Sequence, residues 1–184
     1  MKFISLASLL GVLAGLCLFS PVKTQAASAS EIDSSARASL RQLYASNPKA
    51  RALGEKAHAV LVFPSITKGG FIVAVQNGDG ALITPQGTKG YYKSVAASYG
   101  LQAGVQTFGY ALFFMNDRSM DYLHTKGGWE LGGSPSLVVM DEGVSKSFST
   151  TNLKSNVYAF FYNQKGLMGG LGLQGAKITE IHPR

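Results

Sequence analysis

From Ala59 onward the apolar residues come in short β-branched and aromatic runs, each stopped by glycine, proline or an Asn/Asp turn former. That punctuation limits the fold more than any other feature, because such runs are too short for helices and are bounded as strands are. Ala59-Val60-Leu61-Val62-Phe63 stops at Pro64 and reads as a buried strand ending at a turn. Thr67-Lys68-Gly69-Gly70 predicts a turn, Phe71 to Gln76 the next strand, and Asn77-Gly78-Asp79-Gly80 a hairpin from which Ala81 to Thr84 returns. The same Asn and Asp residues suggest a calcium loop, but the later ligands and closing Glu of such a loop are missing. Gly87 to Gly90 predicts a further turn, and Tyr91 to Met115 a long β region broken near Gly100, Gly104 and Gly109. The 22 glycines in 184 residues, against an ordinary share of about 7%, fit strands that bend and pack closely.

Helical period is confined to two places. Ser30-x-x-Asp33 is spelled like a capping box, and Ile32, Ala36, Leu40, Leu43 and Tyr44 follow on one face, with Arg37 and Arg41 as an adjacent basic strip. Asn47-Pro48 predicts a second helix, through Arg51 and Lys56 and ending near His58. Such a basic pair of helices either covers the domain with a solvated charged face or lies against anionic lipid. In mid-chain, Asn116 caps a short predicted helix to His124, which Lys126-Gly127-Gly128 ends. Strands then recur at Ser136 to Met140, from Val157, and through Ile178 to Ile181. The total is an α+β fold of about eight strands, strand-dominated and mostly antiparallel, a sheet or half-barrel with two N-terminal helices and one short mid-chain helix.

Near the end, Gly170-Leu171-Gly172-Leu173-Gln174-Gly175 matches the glycine spelling of a dinucleotide loop. That loop needs a helix after it to receive the pyrophosphate, and a ribose-binding acid about 20 residues further on. Here the alternating Lys177-Ile178-Thr179-Glu180-Ile181 follows instead. The glycines fit bends and close strand contacts.

Met1-Lys2 followed by an uncharged run from Phe3 to Ser20 and a small-residue site at Thr24-Gln25-Ala26 predicts a secretory signal peptide over 1–26, with a second cleavage site at Ala27-Ser28-Ala29. The alternative is an uncleaved anchor. The chain's one cysteine, Cys17, lies in this segment after Leu16, one residue off the spelling of a lipidated cysteine, so a lipid anchor there is the secondary expectation. Cleavage removes Lys2 and Lys23 and no acid, leaving 15 basic against 10 acidic residues, so the formal charge falls from +7 to +5. A basic exported chain has reason to meet anionic headgroups, and export argues against nucleic acid. The expected organisation is a leader (1–26), an N-terminal helical segment (27–57) and a β-rich domain (58–184), located in the periplasm or secreted, with peripheral membrane attachment.

No reaction is spelled out. His58, His124 and His182 fall in separate local contexts without metal-ligand spacing. Gly132-Gly133-Ser134-Pro135 is no nucleophile elbow, and Asp141-Glu142 reads as a solvated turn. The expectation is a chain that is not an enzyme and takes no cofactor and no metal.

The ordered series Ala59-Val60-Leu61-Val62-Phe63-Pro64, Lys68-Gly69-Gly70-Phe71, Gly100-Leu101-Gln102-Ala103-Gly104, Leu112-Phe113-Phe114-Met115, Leu131-Gly132-Gly133, Tyr162-x-x-Lys165-Gly166-Leu167 and Gly172-Leu173-Gln174-Gly175 resembles the SYLF domain. The resemblance covers about two thirds of the chain and implies an exported bacterial-type member. It implies a compact β-rich domain that binds lipid or phosphoinositide and does no catalysis. In eukaryotic members a preceding amphipathic helix is associated with membrane contact, and Ser30 to Ala45 holds a similar place. Actin binding, associated with some eukaryotic members, is not expected of a secreted chain. The partner this implies is an anionic phospholipid or membrane surface. Lys68 and Lys165, in the matching motifs, are the first lipid-binding candidates, followed by Arg37, Arg41, Arg51 and Lys56. Three other readings stay open: an outer-membrane barrel, a carrier enclosing a lipid or small apolar ligand, and a protein-interaction module.

Overall fold

A computed structural model describes residues 26–131, 137–140, 155–166 and 175–184, with only the backbone given at 99–103 and 166. Residues 1–25 with Cys17, most of the glycine-rich stretch, Ser134 and the Asp141-Glu142 pair therefore lie outside the described residues.

Helix α1 runs Ala29–Ser46 and α2 Pro48–Gly54. The capping box belongs to Ser28 and Glu31, two residues before the expected Ser30 and Asp33. Ser28 Oγ accepts from the Glu31 backbone N–H while the Glu31 carboxylate accepts from the Ser28 N–H, so both orphan donors are satisfied, and the longer Glu reaches back where Asp would not. Asn47 caps α2 as its Asn-Pro spelling predicts, its side chain accepting from the N–H groups of Lys49 and Ala50. That helix ends at Gly54, short of His58.

The strands are β1 (Ala59–Thr84), β2 (Gly87–Phe114), β3 (Trp129–Glu130), β4 (Leu137–Val139), β5 (Val157–Gly166) and β6 (Lys177–Ile181). Between β2 and β3, α3 (Asp117–Met120) and a 3-10 turn (Asp121–His124) form the short mid-chain helix, capped by Asn116. The α+β, strand-dominated architecture stands, and among the described residues all ladders are antiparallel except β4 on β5. Six strands are found there where about eight were expected, because β1 and β2 each run on through glycine and proline positions that read locally as breaks.

These two strands form one long hairpin, closed at Pro85-Gln86 and paired from Ala59↔Phe114 to Thr84↔Gly87. It kinks midway, where the register shifts between Phe71 and Val73 and where Ile72 takes a positive φ of 65°. Beyond the kink the distal half folds back over the proximal half. Gly80 comes so close to Val62 and Phe63, and Gly78 to Ser65 and Ile66, that no Cβ fits at either glycine. The Asn77–Gly80 hairpin expectation is thus corrected: this segment is continuous strand, and its glycines serve close approach. Pro64 does not stop the first strand either, since it sits in a bulge between Phe63 and Ile66, where a missing N–H is tolerated.

Alternation along the curled sheet makes two cores. Leu61, Phe63, Phe108, Tyr110, Leu112 and Phe114 face inward with Tyr92, Trp129 and Ile178. Val60, Val62, Ala111 and Phe113 face outward and are covered by Ile32, Ala36, Leu40 and Leu43 of α1 and by Ala50 and Leu53 of α2. The helices are therefore part of the domain's packing.

Candidate docking surface

The predicted basic residues fall into two groups, one on the helical cover and one at the kink. On the cover, Arg37 is tied down: its Nε donates to Asp33 Oδ2 at 2.9 Å and its Nη2 to Thr88 Oγ1 at 2.7 Å. Thr88 in turn donates to Asp33, and that bond, then Arg37, holds the Asp33 carboxyl below its ordinary pKa against partial burial. Arg37 thus clamps α1 to the far end of the β1–β2 hairpin. Arg41 and Arg51 are exposed on the helices, and Lys56 in the turn after α2. The apolar stripe of α1 lies in the core, so the helix has no unburied apolar face to insert in a membrane.

Lys68 and Lys165 come together through register. Lys68 pairs with Gln106 and Gln106 with Gly166; one row away, Thr67 pairs with Thr107 and Thr107 with Lys165. The two lysines therefore sit in adjoining rows beside the kink, on opposite faces. Lys165 projects outward and is exposed, whereas Lys68 turns inward and is only 9% exposed. Its register partner Gln106 is buried as well, as are Gln76 and Ser94 on the distal half of the hairpin, and Gln76 Nε2 and Gln106 Oε1 have no hydrogen-bond partner among the described residues. Asn163, two residues before Lys165, donates to Gln42 Oε1 at 3.1 Å and so fixes the C-terminal part of α1, with Arg41, beside this strand.

Sequence reasoning missed the apolar surface at the kink. Phe71 is 74% exposed, Ile72 54% and Val105 63%, and Val73 and Val75 are exposed just beyond them on β1. Phe71-Ile72-Val73-Ala74-Val75 is a continuous apolar run, and such runs occur in strands buried on both faces, so nothing in it signals exposure. The strand segments around the kink carry no carboxylate. Between Glu55 and Asp117 the one acidic residue is Asp79, paired with Lys93 at 2.9 Å, and none occurs from Gly143 to Thr179.

At the other end of the hairpin a cleft of about 590 Å³ is lined by Leu82, Tyr92, Met120, His58, His124 and Glu180 among others. His58 and His124, separate in sequence, meet there, and His58 Nδ1 lies 2.9 Å from Asp117 Oδ1. Among the described residues no three His, Cys, Asp or Glu side chains are grouped as a metal site, and no helix is long and apolar enough to cross a membrane.

A curled sheet under a helical cover, with an exposed apolar and basic end, defines a β-rich module built around a surface. A model of the family described as Ysc84, Las17-binding protein actin regulator, matches residues 95–182. Over that span the match supports the resemblance to the SYLF family, and the Ala59–Phe63 and Lys68–Phe71 motifs lie before it. No curated protein matches the chain. The match is consistent with a lipid- or actin-related binding module.

Proposed function

We propose that this chain is an exported, non-catalytic lipid-binding module that docks on anionic phospholipid surfaces. The observation that carries the reading is the kinked end of the hairpin, where exposed Lys165 stands on carboxylate-free strand segments beside exposed apolar side chains. Each basic residue near an anionic surface contributes about 1 kcal/mol, and these segments bring no carboxylate to repel the headgroups. Arg41 adds to the same field from α1, while Arg37 is engaged in its clamp. The leader-like sequence of residues 1–26 supports export to the periplasm or beyond, where actin would not be met, so the actin role in the family's description is left out of the reading.

The test is flotation of the chain from Ala27, which keeps every described helix and strand, with neutral and anionic liposomes over a salt series. Binding to anionic vesicles alone, weakened by salt and reduced about fivefold by Lys165→Ala, is expected. Absence of binding to anionic vesicles at low salt would sink the proposal.

A further inference from the structure

We infer that the hairpin kink is a membrane wedge: Phe71 and Ile72, flanked by Val73 and Val105, enter the acyl region of an anionic bilayer while Lys165 stays at the headgroups. This rests on the docking reading and adds where, and how deeply, the chain engages lipid. Two observations independent of the family carry it. First, the largest exposed apolar side chains of the described residues gather at one end of the fold, where the hairpin of β1 and β2 kinks. Large apolar groups held in water at an apex are unfavourable unless a partner removes them from it. Second, Ile72 takes a φ of 65°, a conformation that a β-branched residue adopts only under strain. Glycine would relieve that strain and already stands twice just before it, at Gly69 and Gly70, yet position 72 holds isoleucine. An apolar side chain kept outward at a strained position points to a contact. The occupant is a lipid surface by charge: exposed Lys165 on the neighbouring β5 stands beside kinked strand segments that carry no carboxylate, which suits anionic headgroups. The α1 stripe cannot supply the insertion, since it is packed on the sheet.

The experiment places an indole at the kink by Phe71→Trp in the chain from Ala27 and uses anionic vesicles whose acyl chains are brominated. The introduced indole is expected to shift to the blue and be quenched. Trp129, 5% exposed in the core, is the internal control, and its emission in the unsubstituted chain is expected to stay unquenched. Ile72→Gly is expected to keep or raise the melting temperature yet weaken vesicle binding several-fold, at salt dependence unchanged. Flotation without quenching overturns the wedge and leaves docking standing; loss of flotation altogether overturns both. A blue shift that appears without lipid and grows with protein concentration, together with a dimer in sedimentation that Phe71→Ser dissociates, overturns the wedge in favour of a second copy of the chain.

Discussion

Substituting Gly80 by alanine tests the fold-over that creates the kinked end. An ideal Cβ at position 80 would lie 2.5 Å from the Val62 carbonyl oxygen and 2.7 Å from Cδ1 of Phe63. Non-bonded heavy atoms prefer separations of about 3.5 Å, so the added methyl is roughly 1 Å too close. The nearest obstruction is backbone in the middle of a strand, which cannot swing aside as a side-chain tip would. Overpacking of this kind costs about 1–3 kcal/mol, and the rigid neighbour places Gly80→Ala in the upper part of that range. Gly69→Ala is the control, because the nearest atoms to its Cβ are Val105 Cγ2 at 3.6 Å and the Gly104 carbonyl oxygen at 3.8 Å, ordinary contact distances. It should change stability by no more than about 0.5 kcal/mol. Urea unfolding of both variants, followed by far-UV circular dichroism, measures the difference. With a slope of about 1–3 kcal/mol per molar urea, the Gly80→Ala midpoint falls by on the order of 1 M. Equal midpoints for the two variants would refute the close packing of the hairpin's halves.

Tyr162→Phe removes the bond from the Tyr162 hydroxyl to the Phe63 carbonyl, 3.1 Å and buried, and should cost about 1 kcal/mol in the same urea assay. Burial raises the phenol pKa values of Tyr44 and Tyr92 to about 12 and pushes those of Tyr110 and Tyr162 up as well. Each proton is held more tightly in the folded chain than in the unfolded one, where the value is about 10. This stabilisation is therefore complete below pH about 10 and is lost as pH rises towards and through the folded values; a melting temperature flat from pH about 9 to about 12 would contradict it. At the acid end, the lowered Asp33 value makes the Asp33–Thr88–Arg37 clamp fully stabilising above pH about 4 and weakens it as pH falls through the folded value. Asp33→Asn should flatten that acid limb of the stability profile, and an unchanged limb would show that the clamp does not contribute.

Much of this protein is decided by its sequence alone. Period and punctuation settle a strand-dominated domain with helices in front, because alternation, Asn-Pro capping and β-branched runs act over a few residues at a time. The stripe of Ile32, Ala36, Leu40 and Leu43 likewise announces an amphipathic helix, though whether it packs on the sheet or on lipid is left to the tertiary structure. Tertiary structure decided the rest. Asn77–Gly80 has the spelling of a turn, yet the chain runs straight through it, because its glycines are needed where two halves of a hairpin press together. Arg37 looks like a lipid contact until Thr88, 51 residues away, engages it. Lys68 and Lys165 are neighbours in register but face opposite sides of the sheet, since side-chain direction follows strand pairing. Phe71 and Ile72 read simply as the start of a strand, and only the kink turns them out to solvent. Local sequence sets what each segment becomes; which face meets water depends on contacts between segments far apart in the chain.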